Sequence, residues 1–130
     1  MTELPKVLRL AEVYGLHQRA LREHGGSDGV REPGLVESAL GSAENTFWYG
    51  NGDLAAIAAA YAFHLAESQA FVDGNKRVGI AAALVFLAMN GLKYPEQADD
   101  SLYHALIEIS EKRQTKADLA ELFRARVTPL

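Results

Sequence analysis

Cysteine is absent from the 130 residues. That excludes a disulfide framework, thiolate zinc or iron–sulfur ligation, and a cysteine nucleophile. Long apolar runs are missing too. The longest uncharged stretches, 54–66 and 78–92, fall short of the roughly 18 apolar residues a membrane-crossing helix needs. The first ten residues carry Glu3, Lys6 and Arg9 and lack the apolar core of a signal peptide, so a cytoplasmic protein without membrane contact is expected. There is no excess of basic charge: 13 Lys and Arg stand against 17 Asp and Glu, a net of −4, which gives no electrostatic reason for a nucleic-acid partner. Composition also argues against disorder, with 48% hydrophobic and 23% charged residues. A chain of this length buries about two thirds of its unfolded surface without a disulfide or metal staple. One domain spanning residues 1–130 is expected, since no repeat, low-complexity tract or linker interrupts it.

What is present is helical spacing. Val7, Leu10, Tyr14 and Leu21 recur at helical intervals after Pro5, with His17 in the remaining slot of the stripe and Gly25-Gly26 as a stop. Pro33-Gly34 opens a second helix with Leu35, Val36, Ala39 and Leu40 on its apolar face, followed by an aromatic, glycine-rich loop from Phe47 to Gly52. Asp53 is placed to cap a third helix running to about Gln69, and Asp73-Gly74 precedes a fourth ending near Asn90-Gly91. Both are apolar nearly all round, the signature of helices inside a bundle. Leu102, Leu106 and Ile109, then Leu119, Leu122 and Phe123, mark two more. No segment alternates with period two for long, so no strand is expected. The predicted fold is all-α: a compact bundle of about six helices around two central ones.

Chemistry concentrates between those central helices, in Phe71-Val72-Asp73-Gly74-Asn75-Lys76-Arg77. With Asp73 as N-cap, Gly74, Asn75 and Lys76 would form a first turn whose amides have no acceptor within the helix, and the helix dipole adds positive potential there. Gly74 lets an anion approach the backbone. Lys76 and Arg77 add two cations that this dipole disfavours unless an anion accompanies them. Asp73 read alone is a plain cap and Lys76-Arg77 a solvated turn; together they read as a phosphate site beside a carboxylate able to hold Mg²⁺.

The same residues resemble the signature of the Fido superfamily of Fic and Doc (death-on-curing) proteins, His-x-Phe-x-Asp/Glu-Gly/Ala-Asn-Gly/Lys-Arg. Lys76 before Arg77 resembles the Doc branch, as does Ile80 where Fic enzymes often carry a second arginine. The segments 25–40 and 86–91 are also similar to Doc, so the resemblance covers most of the chain. It implies a helical domain that binds ATP or another nucleoside triphosphate with Mg²⁺ and modifies a protein hydroxyl. Fic proteins mostly transfer AMP, whereas Doc transfers the terminal phosphate to a threonine of elongation factor Tu and is held in check by an antitoxin. By position, the resemblance assigns Mg²⁺ to Asp73, an anion hole to the Gly74-Asn75 backbone, phosphate binding to Lys76 and Arg77, and a buried anchor to Phe71. No serine or threonine is followed four residues later by glutamate, so the inhibitory motif of many Fic proteins is missing and an antitoxin in trans is expected.

One position departs from the pattern. Gln69 stands where the family has its general-base histidine, and a neutral amide positions a hydroxyl without taking its proton. Loss of a general base costs about 10²–10⁴-fold in rate. His64 is no substitute: five residues along a helix are about 500°, which points it some 140° away from position 69. Glu67 also points elsewhere, and His17, His24 and His104 lie on other helices, where a lone histidine is usually a packing or surface residue. Gln69 is open to three readings: a natural substitution in a degenerate member, a change introduced to silence a toxin, or a member that keeps weak activity because phosphoryl transfer rests on positioning and charge neutralisation. The expectation is strongly reduced transfer with nucleotide binding retained. The alternative is a catalytically inactive domain that binds nucleotide or protein; a helical DNA-binding regulator fits poorly. The Phe47-Trp48-Tyr49-Gly50 segment is either a contact for the target protein or a loop pinned to the core by its rings.

Overall fold

The computed structural model describes residues 4–95 and 100–130. Its described regular structure comprises helices α1 (Leu10–His24), α2 (Pro33–Trp48), α3 (Leu54–Ser68), α4 (Asn75–Met89), α5 (Ser101–Ser110) and α6 (Lys116–Arg126), with strands β1 (Leu92–Lys93) and β2 (Thr128–Pro129). The all-α bundle is as expected. The antiparallel pairing of Leu92 with Pro129 and Lys93 with Thr128 is an addition, because two residues per strand leave no alternation to detect.

α3 is the hub, packed on α4 most extensively and also on α2, α6 and α5, while α1 lies on α4. Nine of its residues are buried, six of them alanines. Small side chains let the neighbouring axes approach. One such close approach is at Gly79 of α4, where an added Cβ would sit 2.6 Å from the Ala62 carbonyl oxygen, so only glycine fits without a shift. Tyr61, Phe86, Leu65 and Leu87 fill the interior around this contact, with Phe123 from α6 and Val36 from α2.

Helix ends follow local chemistry. The Asp53 carboxylate accepts from the Ala56 amide at 2.9 Å, capping α3 as its sequence suggests, and pairs with Arg124 of α6 at 2.7 and 2.8 Å. That guanidinium holds the Asp53 carboxyl below its usual pKa. Thr115 caps α6 in a capping box with Asp118.

Two details correct the reading from spacing. Val7 is exposed on an extended lead and α1 begins only at Leu10. The lead is fixed by hydrogen bonds from the Lys6 amide to Asn90 Oδ1 (2.8 Å) and from the Leu8 amide to Tyr61 Oη (3.1 Å). Phe47 and Trp48 belong to α2, not to the following loop. Phe47 packs against the core, while Trp48 and Tyr49 are exposed.

Candidate functional site

The chain leaves α3 through Gln69, whose left-handed backbone (φ +55°) stops the helix and turns it toward α4. For a non-glycine residue that conformation costs on the order of 1 kcal/mol, and it turns the chain without a glycine. Phe71 then drops into the core with no exposed surface, as its expected role as an anchor requires. The turn closes on Asn75: its Oδ1 accepts from the Phe71 amide at 3.1 Å and its Nδ2 donates to the Phe71 carbonyl at 3.0 Å. The Asn75 side chain is therefore a buried clamp, and only its backbone is left for an anion.

Asp73 is not the N-cap of α4. Gly74 occupies that position in left-handed conformation (φ +79°), and Asn75 is the first helical residue. The reason lies in the clamp, which needs a tight left-handed bend one residue after Asp73, and glycine adopts it without strain. Freed from capping α4, the exposed Asp73 carboxylate accepts from the Gly74 amide (2.9 Å) and the Ser27 amide (3.2 Å). Gly26 presses against it so closely that a Cβ there would lie 2.9 Å from Asp73 Oδ2.

These residues border an open cleft of about 470 Å³. Gln69, Asp73, Gly74, Asn75, Lys76 and Arg77 all line it, so the structure brings these six residues of the sequence reading together. Arg77 is oriented by Tyr103 of α5, 4.1 Å from its ring centre, and by Asp100 at 3.4 Å. Lys76 has no hydrogen bond or ion pair within the described residues. Gln69 Nε2 donates to the Ala66 carbonyl at 3.3 Å. The amides that begin α4 have no acceptor inside the helix. Two cations, the first amides of α4 and one carboxylate thus border a single open polar cleft.

The histidines sort differently from one another. His64 lies away from the cleft on the α6 side, its Nε2 3.3 Å from Lys116 Nζ, and burial followed by that cation lowers its pKa. His24 lines the cleft, a placement that its position at the end of another helix did not reveal. His17 is buried directly beneath the turn, its ring stacked on Phe71 at 3.8 Å. Its slot in the apolar stripe of α1 was the available signal. Tyr103, Asp100 and the Ser27 amide had no comparable signal, because they reach the site through tertiary packing. The aromatic pair Trp48 and Tyr49 sits at the other end of α3, about 20 Å away by helix length.

An all-α bundle whose two central helices meet at this turn has the architecture of Fido-type proteins. Residues 7–87 match the model of the Fic/DOC family, and the chain belongs to that family. It is similar to Protein kinase doc of Escherichia phage P1, with 34% identity over 103 residues that cover 76% of this chain and 82% of that protein. No described helix is long and apolar enough to cross a membrane.

Proposed function

We propose that the chain is a Doc-type toxin scaffold that binds a Mg²⁺-bound nucleoside triphosphate and directs its terminal phosphoryl group to a hydroxyl of a target protein. The observation that carries this reading is the convergence of Lys76, Arg77, the Gly74-Asn75 backbone and Asp73 on one cleft. Arg77 and Lys76 would bind phosphate oxygens, the backbone amides would receive the charge on the phosphoryl group, and Asp73 would hold the Mg²⁺. The residues fit such a cation, because Asp73 is an exposed carboxylate on the same cleft as the two side-chain cations that would hold the phosphates. When bound, Mg²⁺ neutralises charge across the phosphate oxygens. Ile80, in place of a second arginine, favours phosphoryl over AMP transfer.

Gln69 binds and orients the incoming hydroxyl but does not take its proton, so transfer is slow while nucleotide binding remains. The same amide favours a second reading, a binding module that holds nucleotide or a protein without turnover. Under either reading the antitoxin acts in trans, on the groove between α1 and α4 floored by Leu16, Ile80, Leu84 and Val85. That groove of about 320 Å³ shares His24 and Arg77 with the cleft, so a helix lying in it reaches the phosphate site. Capture of an antitoxin encoded beside this chain's gene, compared between the unaltered chain and Leu84→Arg, tests that placement; equal capture contradicts it. The target is expected to be a translation factor, elongation factor Tu by family likeness.

Calorimetric titration with ATP and Mg²⁺ tests the site. Asp73→Ala is expected to weaken the Mg²⁺-dependent part of binding and Arg77→Ala to weaken binding with or without the metal. Unchanged affinity in both variants would overturn the reading.

A further inference from the structure

His17 takes no part in the cleft, yet it is almost wholly buried and makes a hydrogen bond of 2.7 Å to the main-chain oxygen of Asp73. A carbonyl oxygen only accepts, so Nε2 carries the proton and donates. A trans peptide points its C=O and N–H in opposite directions. With the Asp73 carbonyl held down against the core, the Gly74 N–H of the same peptide faces away from it, on the side where Gly74 and Asp73 border the cleft. Its 2.9 Å bond to Asp73 Oδ1 agrees with that direction.

Gly74 does not choose this orientation by itself. Rotating the Asp73–Gly74 peptide by half a turn would carry φ of Gly74 from +79° to a negative value, and glycine accepts both. The Asn75 clamp fixes Phe71, and the Ser27 amide fixes the Asp73 side chain. Neither by itself determines which way the peptide between them faces; the His17 donor on its oxygen and the Asp73 carboxylate on its N–H hold it from opposite sides. A flipped peptide would present an oxygen to the cleft and repel an anion.

We infer that His17 is a positioning residue that holds the Asp73–Gly74 peptide with its N–H toward the cleft, and so sets the affinity of the site for phosphate groups. The inference rests on the proposed reading of the cleft as a phosphate site and assigns it a support that lies outside it.

The test is His17→Phe, which keeps a ring against Phe71 but removes the donor, beside His17→Gln, which keeps a donor. Inorganic pyrophosphate and Mg²⁺-ATP are titrated by calorimetry, and the residual dipolar coupling of the Gly74 N–H bond reports its direction. In H17F we expect affinity for both ligands to fall about five- to tenfold, the weight of one hydrogen bond, with H17Q recovering most of it. The Gly74 coupling should shift in H17F while couplings along α3 and α4 hold. Should H17F not fold, H17Q against His17→Met makes the same comparison at similar side-chain length. Binding and a Gly74 coupling unchanged without the donor would overturn the role of His17 alone. Failure of the unaltered chain to bind either ligand would overturn the phosphate reading and the role of His17 with it.

Discussion

The Arg77 guanidinium lies over the face of Tyr103, 4.1 Å from the ring centre, and so reaches the cleft from a platform supplied by a different helix. A side chain held this way loses less freedom on meeting a phosphate than one free in solvent. Tyr103→Ala is therefore expected to weaken Mg²⁺-ATP binding about two- to fivefold, the usual weight of a partly exposed cation–π contact, and Tyr103→Phe to leave it nearly intact. Calorimetry on the two variants checks this; equal loss in both would mean that the phenol hydroxyl, and not the ring face, is what matters.

Asn75 should prove structural. Asn75→Ala removes both bonds to Phe71 and leaves a buried amide and carbonyl without partners. The expected loss is about 2–4 kcal/mol in urea unfolding. Nucleotide binding should fall as well, because the clamp shapes the turn.

Close packing of the two central helices gives a paired prediction. Gly79→Ala places a methyl 2.6 Å from the Ala62 backbone and is expected to cost about 1–3 kcal/mol, seen as a lowered Tm. Gly15, in the middle of α1, has open space around it. Gly15→Ala is expected to stabilise by roughly 0.5–1 kcal/mol. A Gly79→Ala variant as stable as the parent would contradict the backbone contact.

Tyr61 supplies a pH dependence. Burial pushes its phenol from 10.0 up to about 12. A pKa raised by folding contributes stability that is complete below the unfolded value and is lost as pH rises through the folded one. The protein should therefore lose stability between about pH 10 and 12, where the unfolded chain ionises and the folded one does not. Tyr61→Phe should be less sensitive over that range, as measured by unfolding at stepped alkaline pH.

The bundle and its central pair were legible because α3 and α4 are apolar on every side, a pattern only interior helices sustain. The residues of the site were legible because Asp73 through Arg77 are contiguous in the chain. What was not legible came from distance. Asp73 looks like a cap until the Asn75 clamp, which depends on the buried Phe71, moves the cap to Gly74. His17 sits 56 residues from Asp73 and meets it only because α1 packs on α4. Gly26 reads as a helix stop, and only the folded chain brings it against Asp73. Trp48 reads as loop because aromatics beside glycine suggest one, whereas α2 runs through it.

The most direct measurement is phosphate transfer from ATP labelled at the α or the γ position, in cell lysate, comparing the unaltered chain with Gln69→His. If the cleft is a phosphotransferase site lacking only its base, Gln69→His labels a protein from γ-labelled ATP and the unaltered chain does so about 10²–10⁴-fold more slowly or undetectably. Label appearing only from the α position, or from neither with Gln69→His, would contradict the account.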